Sequence, residues 1–168
     1  MKLDEIKQGI SGFWDSVAEG WQHMRQSAST ALTGFRPGSN TNMPLRTQVD
    51  DAFFIPSGTW SMLGADLFED EGKVVVRLEV PGMDKNDLDI EMQDGALIVH
   101  GEKRFEQENT DGRYRVLQCA YGSFRRVVPL PVAVIADKAQ ASYRNGVLRI
   151  ELPKAELEKP RKTTIRVD

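Results

Sequence analysis

The side chains that could do chemistry are few and widely separated. His23, His100 and the single cysteine, Cys119, lack the spacing that a zinc or other metal site requires. Cys119 has no second cysteine for redox work and no adjacent base to activate it. The sequence contains no phosphate-binding loop and no nucleophile elbow, and its acids alternate with apolar residues, as on a solvated sheet face. We therefore expect no enzyme, no metal and no cofactor.

One compact basic pair, Arg125–Arg126, lies inside a predicted strand. Charge of this kind guards the exposed edge of a sheet against pairing with other chains. An arginine in a strand also forms buried or interfacial ion pairs. Both interpretations stay open at the level of the sequence.

Apolar residues recur with a period of two along most of the chain, which indicates half-buried strands. Asp94–Gly95 and Asn145–Gly146 are the dipeptides that tight hairpin turns prefer. Six or seven short strands without intervening helices favour an all-β, immunoglobulin-like antiparallel β-sandwich. The alternating residues are Val74, Val76, Leu78, Val80, Leu88, Ile90, Met92, Leu97, Val99, Ala139, Ala141, Tyr143, Leu148, Ile150 and Leu152.

The chain divides into an arm, a sandwich and a tail. Residues 1–28 predict an amphipathic helix, residues 29–60 a linker rich in turn signals, and residues 61–154 the sandwich. Residues 155–168 form a polar, flexible extension. The apolar stripe of the helix comprises Leu3, Ile6, Ile10, Phe13, Trp14, Val17, Trp21 and Met24.

Composition narrows the class of protein further. The 168 residues include 22 basic and 25 acidic side chains, for a net charge of -3, which does not favour a nucleic-acid partner. No apolar run approaches the ~18–20 residues of a membrane span, and the N-terminus lacks an export signal pattern. Together with the lone cysteine, these features predict a cytoplasmic protein.

Five short motifs follow one another along the chain, at residues 80–83, 122–131, 141–148, 149–154 and 165–167. In this order they resemble the motifs of the small heat-shock proteins, the Hsp20/α-crystallin family of bacterial type. Residues 141–148 (ASYRNGVL) fit the A-x-x-x-N-G-V-L signature, and residues 149–154 (RIELPK) extend it. Residues 80–83 (VPGM) resemble the family's apolar-Pro-Gly turn, and residues 122–131 (GSFRRVVPLP) its G-x-F-x-R-x-x-x-L-P strand. Residues 165–167 (IRV) resemble its I/V-x-I/V tail motif.

This resemblance implies an α-crystallin domain and an ATP-independent holdase that binds unfolding proteins and prevents their aggregation under stress. It implies a dynamic homo-oligomer built from dimers, with ATP-driven chaperones as partners that refold released clients. By motif position Arg126 belongs at the dimer interface. The long connection supplies a strand that is lent to the partner's sheet, comprising Arg113, Tyr114, Arg115, Val116 and Leu117.

The tail motif suits strand addition to a neighbour, because Ile165 and Val167 lie on the same side of an extended chain. The expected groove for them consists of Leu88, Ile90, Met92, Ala141 and Tyr143. Clients are expected to bind large, adaptable apolar side chains of the arm. These are Phe13, Trp14, Val17, Trp21, Met24, Phe53 and Phe54.

Three other functions are alternatives to the holdase. A β-sandwich co-chaperone or scaffold module could share the fold and bind one specific partner. The N-terminal helix could bind a lipid surface, but its polar face carries Asp4, Glu5, Asp15 and Glu19, so it lacks the basic excess of such helices. A membrane partner is therefore not expected. An enzyme is the third alternative, and no constellation of reactive groups favours it.

Overall fold

The computed structural model describes residues 29–108 and 111–155, which form nine strands and four 3-10 turns. The 3-10 turns are Ser39–Thr41, Arg46–Gln48, Lys85–Asp87 and Ala136–Lys138. The strands are β1 (Leu32–Arg36), β2 (Thr59–Met62), β3 (Ala65–Glu69), β4 (Lys73–Glu79), β5 (Leu88–Gln93), β6 (Ala96–Lys103), β7 (Gly122–Pro129), β8 (Gln140–Arg144) and β9 (Val147–Pro153).

Two antiparallel sheets form the predicted β-sandwich, which confirms the fold class. One sheet has the strand order β2-β1-β7-β6-β5 and the other the order β3-β4-β9-β8. The outermost strands are therefore β2 and β5 in the first sheet and β3 and β8 in the second. The described residues contain no helix that is both long and apolar enough to span a bilayer.

The core lies between the inner faces of the two sheets, where the period-two pattern places it. The inward residues of β4 and β9 are paired across the ladder, as in Val76 with Ile150 and Leu78 with Leu148. They pack against Leu97 of β6 and Phe124 of β7, and all of these side chains are buried. Burying a side chain of this size contributes about 1.5–3 kcal/mol. The alternation in the sequence is thus the direct cause of the sandwich.

Both predicted hairpin turns are present. Asp94 and Gly95 have φ angles of 50° and 74°, and they join β5 to β6. Asn145 and Gly146 have φ angles of 52° and 77°, and they join β8 to β9. Two consecutive residues at positive φ match the right-handed twist of the flanking strands, which explains the Asp-Gly and Asn-Gly preference.

The range 29–60, expected to be a linker, is in part integrated into the sandwich. Strand β1 pairs with β7 through Phe35 and Phe124, whose ring centroids lie 5.0 Å apart. Phe35 and Thr33 are buried, as is Val49 farther along the chain. Pairing of β1 with a strand so distant in sequence leaves no local signal, whereas the surrounding glycines and prolines give a strong turn signal.

The connection between β6 and β7 is also less regular than the alternation of residues 113–117 suggests. Within it, Tyr114 alone of the described residues makes a β-bridge, which is parallel and leads to Val49. The loop turns back over the segment around residues 48–51 of its own chain. A free-standing strand is therefore absent from this part of the described structure.

Candidate functional site

An apolar groove opens between β5 and β8, the edge strands of the two sheets. Ile90 and Met92 of β5 and Ala141 of β8, which are three of the residues expected to accept the tail, line it. Its volume is about 300 Å³. The remaining lining residues are Glu91, Leu97, Ala136, Asp137, Ala139, Ile150 and Leu152. The arrangement provides an apolar trough bordered by unpaired strand edges.

Two predicted groove residues do not line this trough. Leu88 and Tyr143 pack against the core instead, and the Tyr143 hydroxyl donates a hydrogen bond of 2.8 Å to the carbonyl of Val80. Leu97, Ile150 and Leu152 also form part of the lining, although no sequence pattern predicted them there. Their alternation in the sequence predicts core positions. They also line the groove because the two sheets are separated at this edge, which the sequence pattern does not predict.

A second cavity of about 340 Å³ continues from the first, and the two share Met92 and Ala136. Leu130, Val132 and Val134 supply its apolar lining from the connection between β7 and β8. Leu130 is part of the strand motif that ends at Pro131, and Val132 and Val134 follow that motif, where the sequence shows apolar residues but no pattern that predicts a groove. The trough therefore has two adjoining apolar compartments.

Strand β3 is the other edge of functional interest. Its backbone pairs with β4 on one side only. The side chains of Leu67 and Phe68 on this strand are 39% and 61% exposed. An exposed, partly apolar edge favours pairing with a strand from another chain.

Arg126 contacts the end of the β1–β2 pair at which β1 begins and β2 ends. Its Nε donates a hydrogen bond of 3.3 Å to the carbonyl of Leu63, and its Nη1 donates to the carbonyls of Thr30 and Val127. Partial burial lowers the pKa of the guanidinium. Because β1 covers β7, the interpretation of Arg125–Arg126 as an edge guard is wrong. An ion pair of Arg126 with a partner chain stays a prediction.

The predicted lending segment, residues 113–117, is mostly exposed, and Val116 is 62% exposed. Arg113 and Arg115 form ion pairs with Asp50. Leu117 donates its backbone N–H to the carboxylate of Asp51 at 3.0 Å. This N–H and that of Phe53 lower the pKa of Asp51, because both stabilise its charged form. Neither acid was predicted as a site residue.

The predicted client-binding residues separate into distinct environments. Phe53 is 91% exposed, whereas Phe54 is buried, with the Arg46 guanidinium 5.9 Å from its ring centroid. Trp60 is also exposed, and it lies over Gly34 on the outer face of the β1–β2 pair. The other predicted client-binding residues, Phe13, Trp14, Val17, Trp21 and Met24, fall outside the described residues, as do Ile165 and Val167 of the tail.

Reactive groups are not brought together in the described structure. Cys119 is exposed, and His100 lies 3.7 Å from Glu91 on the surface. Across residues 29–108 and 111–155, no three histidine, cysteine or acidic side chains cluster in a way that would hold a metal ion. The geometry that this part of the chain offers is that of grooves and open strand edges.

Grooves and open strand edges on a β-sandwich favour the binding of extended segments of other chains. The sequence of residues 66–168 matches the Hsp20/alpha crystallin family. The chain belongs to this family, which confirms the resemblance drawn from the motifs and supports a chaperone role.

Individual relatives agree with this membership. The chain is 32% identical over 101 residues to small heat shock protein C2 of Rickettsia felis, covering 60% of this chain and 66% of that protein. The alignment therefore spans slightly less than two thirds of the relative. The structure of heat shock protein 16.0 from Schizosaccharomyces pombe is similar at a TM-score of 0.52 and 32% identity, covering 63% of this chain and 97% of that one.

A bacterial structure gives the same result. The small heat-shock protein of Xylella fastidiosa, described as having a distinct high order structure, is similar at a TM-score of 0.51 and 31% identity. The comparison covers 64% of this chain and 98% of that one. The similarity thus extends to nearly the whole of that crystallised chain.

Proposed function

We propose that this protein is an ATP-independent holdase of the cytoplasm, which binds unfolding proteins and assembles as a dynamic oligomer of dimers. The observation that carries the proposal is the two-compartment apolar trough at the β5 and β8 edges. Such a trough fits an extended peptide with alternate apolar side chains, and the chain itself carries one at residues 165–167. The holdase works by binding rather than by catalysing a reaction.

The tail of one subunit would occupy the trough of another. Ile165 and Val167 project to the same side of an extended strand and suit apolar compartments. Arg166 between them is complementary in charge to Glu91 and Asp137, which also line the trough. Burying each apolar side chain is worth about 1.5–3 kcal/mol, but ordering the tail offsets much of this.

A single tail link is therefore weak. A net of about 4 kcal/mol corresponds to a millimolar dissociation constant. Many such links in a closed assembly raise the effective concentration and hold the particle together. Since each link still opens individually, subunits exchange, and apolar surface becomes available to clients.

The dimer would form by strand lending. Residues 113–117 of one chain would pair with the open β3 edge of the other, where Leu67 and Phe68 are exposed. Arg126 would lie at or near this interface. Pairing would cover an edge that otherwise invites aggregation.

Clients would be captured mainly by the arm, through Phe13, Trp14, Val17, Trp21 and Met24, with Phe53 as an exposed addition. Phe54 would join them only after local opening, because it is buried. Capture by apolar burial needs no nucleotide. ATP-driven chaperones would refold the released clients, and neither nucleic acid nor a membrane is a partner.

Filling the trough tests the assembly directly. Ala141 is exposed at the trough, so Ala141→Trp should block the tail without unfolding the sandwich and shift the particle mass towards dimers. Ser142→Trp, on the opposite face of β8, is the matched control and should leave the particle mass unchanged. Light scattering measures both. Equal masses for the two variants would contradict the role of the trough.

Deleting residues 1–28 tests the client site. We expect the deletion to abolish most suppression of client turbidity while the thermal unfolding of the sandwich changes little, because the described core lies outside the deleted range. Turbidity of a heat-labile protein and circular dichroism are the two measurements. Full suppression by the deleted chain would move client binding elsewhere.

A further inference from the structure

The lending segment has a docking site on its own chain. The Tyr114 N–H donates to the Gln48 carbonyl at 3.0 Å, and the Asp50 N–H donates to the Tyr114 carbonyl at 2.8 Å. Val49, between these two residues, is 3% exposed and forms the parallel bridge with Tyr114. The segment is thus paired through its backbone in a way that a disordered loop is not.

Asp50 and Asp51, two neighbouring acids within residues 48–51, add further contacts to this docking site. The Oδ1 of Asp50 lies 3.1 Å from Nη1 of Arg113, and its Oδ2 lies 2.5 Å from Nη1 of Arg115. The carboxylate of Asp51 accepts hydrogen bonds from the backbone N–H groups of Leu117 at 3.0 Å and Phe53 at 2.9 Å. The carboxylate of Asp51 therefore connects Leu117, the last residue of the lending segment, to the backbone at Phe53.

The same site is fixed to the sandwich. The Arg46 guanidinium donates to the Val49 carbonyl at 2.8 Å. Phe105, buried just after β6, contacts the Tyr114 ring edge to face at a centroid distance of 5.1 Å. The Phe105 N–H donates to the Thr41 carbonyl at 2.8 Å. Because the site is anchored between β1 and β2 of its own domain, a segment that is bound there is not available to a second chain.

We propose that residues 48–51 form an intrachain docking site for residues 113–117, recognised by Asp50 and Asp51, and that this self-docked state competes with strand lending. The inference rests on the proposed strand-lent dimer and adds its regulation. Asp50 forms ion pairs with Arg113 and Arg115, and Asp51 accepts a hydrogen bond from the backbone N–H of Leu117. Anything that weakens the site releases the segment and favours the dimer.

The charge of Asp50 gives the site a dependence on salt. Its partners Arg113 and Arg115 have side chains that are 61% and 79% exposed, so added salt screens these ion pairs. The bonds to Asp51 come from backbone N–H groups and are screened less, because the residue is buried. Salt should therefore weaken self-docking without abolishing it.

The test measures the concentration at which full-length particles release single chains, by mass photometry over a dilution series. Asp50→Asn should lower this midpoint about threefold and Asp51→Asn about tenfold, the latter equivalent to about 1.4 kcal/mol. Raising the salt should lower the midpoint of the wild type and change that of Asp50→Asn little. The matched control is Asp89→Asn on the exposed face of β5, which should leave the midpoint unchanged.

A further variant separates this inference from strand lending itself. Val116→Pro removes an N–H from the lending segment but spares the N–H groups of Tyr114 and Leu117 that bind the docking site. It should raise the midpoint. If Val116→Pro leaves the midpoint unchanged, strand lending is overturned and the competition with it. If Val116→Pro raises the midpoint but both aspartate variants leave it unchanged or raise it, self-docking as a competitor is overturned alone.

Discussion

At the scale of single residues, Arg126 occupies a position of the strand motif and forms hydrogen bonds to backbone carbonyls. Its guanidinium donates to the carbonyls of Thr30, just before β1, and Leu63, just after β2, and so joins one end of this antiparallel strand pair to β7. The sequence identified the position through the family motif but not these bonds. Every residue has a backbone carbonyl, so the sequence does not indicate which carbonyls accept these hydrogen bonds. Only the fold identifies them.

Replacing Arg126 by glutamine should destabilise the fold by about 1–3 kcal/mol, because partly buried carbonyls lose a charged donor. Urea unfolding followed by circular dichroism measures the change. The neighbouring Arg125→Gln is the control, and since Arg125 is exposed it should stay within about 0.5 kcal/mol of the wild type. Equal effects of the two substitutions would show that Arg126 does not hold the β1–β2 pair.

At the scale of elements, the approach of β1 to β7 depends on Gly122. The residue has a φ of 114°, and an added Cβ would lie 2.3 Å from the carbonyl carbon of Arg36 and 2.4 Å from its oxygen. Both the backbone conformation and the space therefore require glycine here. The strand motif begins with this glycine, and the structure supplies the physical reason.

We expect Gly122→Ala to separate β1 from β7 and to destabilise the protein by about 1–3 kcal/mol. Hydrogen exchange of residues 32–36 should rise more than that of the β4–β9 ladder. Gly112→Ala is the comparison, because nothing lies within 4 Å of a Cβ at that position. Unchanged protection of residues 32–36 in Gly122→Ala would contradict the close-approach argument.

The stability of the protein should depend on pH through Glu151, which lies on the outer face of the β4–β9 ladder. Hydrogen bonds from Lys73 and then Arg149 lower the pKa of Glu151 from 4.5 to about 2. A lowered pKa in the folded state means that the carboxylate stabilises the fold fully above about pH 4.5 and loses this effect as the pH falls through about 2.

Glu151→Gln should therefore be less stable than the wild type at pH 7, and the difference should shrink as the pH falls from about 4.5 towards 2. Urea unfolding at several pH values measures this. Glu71→Gln, in the turn between β3 and β4, serves as the control for loss of one negative charge. A difference that is independent of pH would refute the ion-pair explanation.

The alternation of apolar residues and the two Asx-Gly turns sufficed to predict the sandwich. Val76 and Ile150, for example, were placed on inner faces by period alone. Strand β1 was missed because its pairing of Phe35 with Phe124 is long in range. Of the residues expected to accept the tail, Ile90, Met92 and Ala141 line the trough, and that role stays a prediction. The floor of the trough, Leu97, Ile150 and Leu152, depends on how the two sheets are spaced.

At the scale of the whole molecule, the proposed assembly through many weak links depends on the open strand edges and the trough. Ile165→Ala combined with Val167→Ala should shift the particle towards dimers, because each link loses its two apolar side chains. Light scattering measures the mass. Thr163→Ala with Thr164→Ala removes two side chains just before the motif and should leave the size unchanged. An unaltered size distribution in the first variant would refute the role of the tail.

The proposed capture of unfolding proteins without nucleotide is measured by the turbidity of a heat-labile protein. The full-length chain is added in rising amounts at a denaturing temperature in a buffer that contains no ATP. We expect turbidity to fall in proportion to the added chain until it is suppressed, with the client recovered in complexes with this protein. Turbidity that rises as it does with an inert protein at the same concentration would show that the chain does not capture unfolding proteins.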